Sequence, residues 1–118
     1  MKQYNKYHAS PTTKNGMNFD SKLEAARYQD LLLLERSGAI SQLETHPRFC
    51  IVPAFTYQGK RIRASYYEAD FAYYVEGLFV VEDVKGPIET ALFRLKWKLM
   101  KSLHLHWDFR IYRKGGAE

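Results

Sequence analysis

From Leu78 to Gly86 the chain reads Leu-Phe-Val-Val-Glu-Asp-Val-Lys-Gly, an apolar strand-like stretch ending in two acids and a lysine. Side chains alternate across a strand, so Phe79, Val81, Asp83 and Lys85 share one face. Val80, Glu82 and Val84 share the other. An acid and a lysine at the end of such a strand are costly to bury alone, so they call for mutual pairing or a metal ion. Alternation with Lys85 selects Asp83 for that face and sends Glu82 to the opposite side of the sheet. The preceding strand-like stretch carries Glu68 and Asp70 on one face, just ahead of the aromatic run Phe71 to Tyr74. A short turn at Glu76-Gly77 would bring Asp70 near Asp83, with the register left open by the sequence.

The remaining elements follow from local signals. Ser21 and Glu24 match a helix capping box, and Gly38 suits a helix C-terminus, which predicts a first helix from about Ser21 to Arg36. The four leucines Leu31 to Leu34 point all round that helix and predict burial on more than one side. Three strands are expected over Phe49–Tyr57, Ile62–Tyr74 and Leu78–Lys85. Gln58-Gly59-Lys60 reads as a turn, and Pro53 marks a bend or an edge. A second helix is expected from about Glu89 to Leu103. Leu92, Leu95, Leu99 and Leu103 lie along one face, opposite Arg94, Lys98 and Lys101. Lys96 falls within the leucine stripe. A short last strand, Trp107 to Tyr112, precedes a Gly-Gly tail. The order α-β-β-β-α-β predicts an α/β (α+β) chain with a central mixed four-stranded sheet flanked by helices. Residues 1–19 read as a polar basic arm, 20–114 as a single domain and 115–118 as a tail.

Charge narrows the function classes. The chain has 118 residues and a formal net charge of +5, distributed unevenly. The first nineteen residues hold Lys2, Lys6 and Lys14 and no acid. Residues 20–90 hold eight basic and eleven acidic residues, and residues 91–118 hold seven basic and two acidic. Basic ends favour a polyanion, whereas an acidic middle repels phosphate unless a divalent metal bridges the two. No apolar run approaches the about 20 residues of a membrane span. The N-terminus lacks the apolar core of a secretory signal, and the single cysteine, Cys50, fits a reducing cytoplasm. One cysteine excludes a disulfide scaffold or a multi-cysteine zinc site, and Cys50 itself reads as an inert core residue. His104-x-His106 lacks further ligands for zinc. The tyrosines read mostly as core, with Tyr66, Tyr67, Tyr73 and Tyr74 partly lining a cleft where bases stack.

Converging carboxylates bind Mg²⁺ or Mn²⁺ through hard oxygens, and such a metal polarises a phosphate and acidifies a bound water. A neighbouring lysine orients that water or stabilises charge on phosphorus. Two acids and a lysine at this spacing are the minimum for metal-dependent phosphodiester hydrolysis.

Asp70 followed by Asp83-Val84-Lys85 resembles the D…(D/E)-x-K motif of the PD-(D/E)XK, or restriction-endonuclease-like, superfamily. Ala69 stands where that pattern has proline, a position that does no chemistry. The blocks FDSKLEA (Phe19 to Ala25), YEADFAY (Tyr67 to Tyr73), VVEDVKG (Val80 to Gly86) and FRLKWKL (Phe93 to Leu99) are similar to a family of small phage and prophage nucleases. That family has long been catalogued as a domain of unknown function and is related to Holliday junction resolvases. The resemblance covers Phe19 to Tyr112 and implies a restriction-endonuclease-like αβββαβ core.

It further implies Asp70 and Asp83 as ligands of Mg²⁺ or Mn²⁺, the Val84 backbone carbonyl completing the shell, and Lys85 as catalytic lysine. Glu24 is implied as a helix-borne acid of the same site, directly or through water. Its place in the capping box offers a competing structural role. Lys96 stands as an accessory phosphate contact or as a stem buried among leucines. Arg94, Lys98, Lys101, Lys14 and Lys22 are further DNA-binding candidates, and Glu68 is a supporting acid or plain surface. The implied activity is a divalent-metal-dependent endodeoxyribonuclease selective for branched DNA, working as a homodimer in the bacterial host cytoplasm. A nuclease of single-stranded or duplex nucleic acid, and a non-catalytic DNA-binding module, are the alternatives.

Overall fold

The structure is a computed structural model that describes residues 12–14, 17–19, 21–114 and 116–117, with side chains described for 21–114. Strands β1 (Thr12–Lys14) and β2 (Met17–Phe19) pair antiparallel and lie against helix α1 (Lys22–Ser37). They fall within the expected basic arm; the Lys14 side chain is outside the described residues. Ser21 caps α1 by accepting a hydrogen bond from the Glu24 backbone N–H at 3.1 Å. Gly38 ends it at φ 85°, a left-handed conformation open to glycine without a Cβ clash.

After α1 come β3 (Ser41–Thr45), β4 (Arg48–Val52), β5 (Phe55–Tyr57), β6 (Lys60–Ile62), β7 (Ser65–Glu68), β8 (Phe71–Val75) and β9 (Leu78–Val84). Helix α2 (Ala91–Leu103), β10 (Asp108–Arg113) and β11 (Gly116–Ala117) complete the chain. The central sheet runs in the order β11-β10-β9-β8-β3. β8 is antiparallel to both β3 and β9, while β9 and β10 run parallel across the α2 crossover. The short β11 extends the four longer strands at one edge and lies inside the Gly-Gly tail. The expected α+β architecture, a mixed four-stranded sheet flanked by helices, is present.

Two strands are not where the sequence placed them. The first strand of the sheet is β3, which is not among the expected strands; its Ser-Gln-Leu-Glu-Thr stretch is polar and largely exposed at the sheet edge. The Phe49–Tyr57 stretch is instead β4 and β5, outside the sheet. The expected Ile62–Tyr74 strand divides among β6, β7 and β8. β4 pairs with β7, and β5 with β6, as separate two-stranded ribbons. The break between β7 and β8 falls where backbone bonds are diverted: Ala69 N–H donates to Pro47 O at 3.0 Å and His46 N–H to Asp70 O at 2.9 Å.

The core lies on both faces of the sheet. Ala25 and Leu31 of α1 pack with Ile40, Phe71, Tyr73 and Val80. Phe93, Trp97 and Met100 of α2 pack with Val81, Ile51, Tyr67 and Ala69. Val80 and Val81 are adjacent on β9, so the two helices cover opposite faces.

Three expectations of burial are corrected. α1 is buried on one side only, since Leu33 and Leu34 are exposed. On α2 the leucine stripe is not the core face: Leu92, Leu95 and Leu103 are exposed and Leu99 half-buried. The larger rings of Phe93 and Trp97 face the sheet instead, in the arc between the leucines and the basic residues. The helix also starts later than expected, because Thr90 Oγ1 accepts from Phe93 N–H at 3.0 Å. Cys50 is exposed, because Phe49 and Ile51 on either side of it are the residues of β4 that pack against the core. Among the described residues no helix is long and apolar enough to cross a membrane.

Candidate metal centre

The β8–β9 hairpin positions the first two carboxylates. Its turn residues Glu76 and Gly77 both have positive φ, 49° and 82°, the conformation a two-residue hairpin turn requires. The resulting register pairs Val75 with Leu78 and Phe71 with Glu82. Asp70, one residue before that last pair, is therefore set beside Asp83. The Val84 backbone N–H donates to Asp70 Oδ2 at 2.7 Å and fixes its carboxylate at the end of β9.

Strand alternation holds as expected on β9. Asp83 lies on the α2 face and is 4% exposed. The buried Tyr67 hydroxyl donates to Asp83 Oδ2 in a short contact. Lys85 Nζ lies 3.8 Å from Asp83 Oδ1 and 3.9 Å from the centre of the Phe93 ring. Glu82 lies on the other face, fully buried, and accepts Arg27 Nε at 2.7 Å, Arg27 Nη2 at 2.9 Å and the Tyr73 hydroxyl at 2.6 Å. Tyr73 is thus a core residue and not part of a cleft.

Glu24 reaches the same end of the sheet from the first turn of α1. Its backbone N–H serves the cap, while its side chain, in a residue only 3% exposed, places Oε2 at 2.9 Å from His46 Nε2. Capping and a role in the cluster are therefore compatible, because they use different atoms. Ligand atoms of Glu24, His46 and Asp70 all lie within 4.8 Å of one another. The Glu24/His46/Asp70 group is a set of two carboxylates and one imidazole that can hold a metal ion.

Electrostatics mark the cluster as costly without a cation. Burial first, and the nearby Asp83 carboxylate second, hold the Asp70 carboxyl well above the usual carboxylate range. Burial and Asp83 likewise raise the Tyr67 hydroxyl, so it remains a hydrogen-bond donor at neutral pH. On the opposite face, burial alone would lower the Arg27 guanidinium, but Glu82 more than offsets this and raises it.

Other sequence candidates are exposed or make contacts of their own. Glu68 is exposed at the end of β7, opposite Arg48. Lys96 Nζ donates to the Tyr66 carbonyl at 2.9 Å, which ties α2 to β7. Arg94 donates to Glu89 O at 2.7 Å. Lys98, Lys101 and Lys22 are exposed. His104 stacks on Trp107, with ring centres 3.7 Å apart. The residue the sequence reading missed is His46. Nothing in spacing marks it, since it joins the cluster through tertiary contacts, its backbone N–H to Asp70 O and its ring to Glu24. Tyr67, read as a cleft tyrosine, instead supports Asp83 from within the core.

No curated protein and no solved structure matches the chain. A family model described as "Protein of unknown function (DUF1064)" matches residues 4–116. The match spans nearly the whole chain and includes every member of the cluster, and the protein belongs to that family.

Proposed function

We propose that this protein is a divalent-metal-dependent endodeoxyribonuclease with Mg²⁺ or Mn²⁺ as its metal, acting on branched DNA as a homodimer in the cytoplasm of a bacterial phage host. One observation carries the reading: Glu24, His46 and Asp70 converge within 4.8 Å, with Asp83 and Lys85 next to Asp70. A buried carboxylate pair with a lysine beside it fits the resemblance of Asp70…Asp83-Val84-Lys85 to the PD-(D/E)XK pattern.

Asp70, Asp83, the Val84 carbonyl and Glu24 would hold the metal, with His46 as an additional ligand. When bound, the metal supplies Lewis-acid activation of the phosphate and an acidified water. The chain's own residues do the rest. Tyr67 fixes the Asp83 carboxylate so that its other oxygen stays turned toward Lys85. The Lys85 ammonium, held between Asp83 and the Phe93 ring, neutralises negative charge building on the phosphoryl oxygens. The exposed cations Lys98, Lys101 and Lys22 hold the DNA backbone by charge alone, which gives selectivity for structure and not for sequence.

The test is cleavage of a fluorescent four-way junction beside matching duplex and single strand, in Mg²⁺, Mn²⁺ or EDTA, by wild type and Asp83→Asn. Metal-dependent, paired nicking of the junction, lost in Asp83→Asn, is the expected result. Equal cutting of duplex or single strand would keep the metal centre and replace the substrate. Binding without cleavage in any metal would make the protein a non-catalytic DNA-binding module.

A further inference from the structure

Both strands of the β4–β7 ribbon start at the metal centre. The outgoing strand β4 follows His46 and Pro47, and the returning strand β7 leads through Ala69 to Asp70. The two backbone hydrogen bonds His46 N–H to Asp70 O and Ala69 N–H to Pro47 O close the root. The lower part is anchored, because Ile51 and Tyr67 pack against α2. The upper part is not, because every residue from Val52 to Arg63 is exposed. At about 3.3 Å per residue the ribbon reaches at most about 36 Å from its root.

The composition of this projection is one-sided. Between Glu44 and Glu68 there is no acid, whereas Arg48, Lys60, Arg61 and Arg63 are all basic. The register of β5 and β6 pairs Phe55 with Ile62, Thr56 with Arg61 and Tyr57 with Lys60. Phe55, Tyr57, Lys60 and Ile62 therefore share one face, and Thr56 and Arg61 the other. On the first face Tyr57 is 60% exposed, Phe55 44% and Ile62 38%. At the base, the Arg48 guanidinium sits 3.8 Å above the ring of Tyr66, itself 39% exposed.

Large apolar side chains held in solvent on a narrow ribbon are unfavourable unless a partner covers them. Aromatic faces interleaved with cations fit unpaired nucleobases on a phosphate backbone, because stacking and charge neutralisation act together. We infer that the β5–β6 hairpin is the element that grips DNA beside the metal centre, stacking Phe55 and Tyr57 on unpaired bases while Lys60, Arg61 and Arg63 contact phosphates. The inference builds on the nuclease reading, since it names the part of the protein that recognises that substrate. It makes an unpaired or branch-point base, and not the regular duplex, the feature recognised.

The experiment measures binding by fluorescence anisotropy to a labelled four-way junction, a single strand and a fully paired duplex. All proteins carry Asp83→Asn so that nothing is cut, and wild type is assayed for cleavage in parallel. Phe55→Ala/Tyr57→Ala is expected to weaken junction and single-strand binding about tenfold or more, and duplex binding far less. Lys60→Ala/Arg61→Ala/Arg63→Ala is expected to weaken all three and to lower the slope of log affinity against log salt by about two to three. Tyr57→Phe, which keeps the ring, is expected to bind as the parent. Unchanged melting temperatures will show that the exposed tip has been altered without unfolding.

Unchanged binding in both multiple variants would overturn the inference, and so would a dimer-to-monomer shift in sedimentation caused by Phe55→Ala/Tyr57→Ala, which would make that face a contact between copies of the chain. If wild type cuts DNA and the hairpin variants bind as the parent does, the inference fails and the nuclease reading stands. If wild type cuts nothing but binding depends on the hairpin, the reverse holds.

Discussion

Arg27 on α1 and Glu82 on β9 form a two-pronged ion pair through the sheet face opposite Asp83, Nε to Oε2 at 2.7 Å and Nη2 to Oε1 at 2.9 Å. Glu24 lies three residues before Arg27 on α1, and Asp83 directly follows Glu82. The pair therefore fixes the spacing between the helix and the strand that carry two acids of the proposed metal centre. Arg27 also lies over the Tyr112 ring, 4.3 Å from its centre, which links β10 to the same contact.

Removing one partner leaves a buried charge uncompensated. Arg27→Met should cost about 3–5 kcal/mol in urea unfolding. Arg27→Met/Glu82→Gln should lose less, because the neutral amide still accepts from Tyr73. A double variant as unstable as the single one would show that the pair acts through packing and not through charge.

Asp70 should make stability depend on pH. Its folded carboxyl is held above the unfolded value of about 3.9, by burial and then by Asp83. Such a group favours the folded state fully at pH below the unfolded value, and that contribution is lost as pH rises through the folded value. In EDTA the melting temperature should fall over that range. Asp70→Asn should flatten this part of the profile, and Mg²⁺ or Mn²⁺ should restore stability to wild type at neutral pH. A wild-type profile in EDTA that Asp70→Asn leaves unaltered would remove the electrostatic argument for the site.

Metal affinity should respond to the two residues absent from the sequence motif. Tyr67→Phe removes the hydrogen bond that orients Asp83 and should weaken Mn²⁺ binding about 10- to 100-fold by calorimetry. His46→Ala should weaken Mn²⁺ more than Mg²⁺, since imidazole suits the softer ion. Equal loss for both ions would assign His46 to positioning Glu24 instead of ligation.

Lys85 is expected to act on turnover. Lys85→Ala should lower the cleavage rate about a hundredfold or more while changing DNA affinity little. Measuring single-turnover rates beside anisotropy separates the two, and equal losses would reduce Lys85 to a phosphate contact.

Local chemistry in the sequence determined a good part of this protein. The Ser21 cap, Gly38, the Glu76-Gly77 turn and the alternation along β9 are short-range signals, and each has its expected structural outcome. Together they send Glu82 to the other face and bring Asp70 toward Asp83, while the register that sets the two side by side is fixed only by the paired strands of the fold. Tertiary structure decided what depends on residues far apart. The core face of α2 follows from which rings fill the space over Val81, and local periodicity ranks leucines above Phe93 and Trp97. β3 is polar, so only its pairing with β8 makes it a sheet strand. His46 enters the candidate metal cluster because its backbone bonds to Asp70 and its ring meets Glu24, contacts that bridge more than twenty residues. The Gln58-Gly59-Lys60 turn of the β5–β6 hairpin is legible in the sequence, but its flanking residues read there as parts of longer strands; only their separation from the sheet leaves the aromatics in solvent. Spacing carries local geometry, whereas burial and convergence are properties of the folded chain.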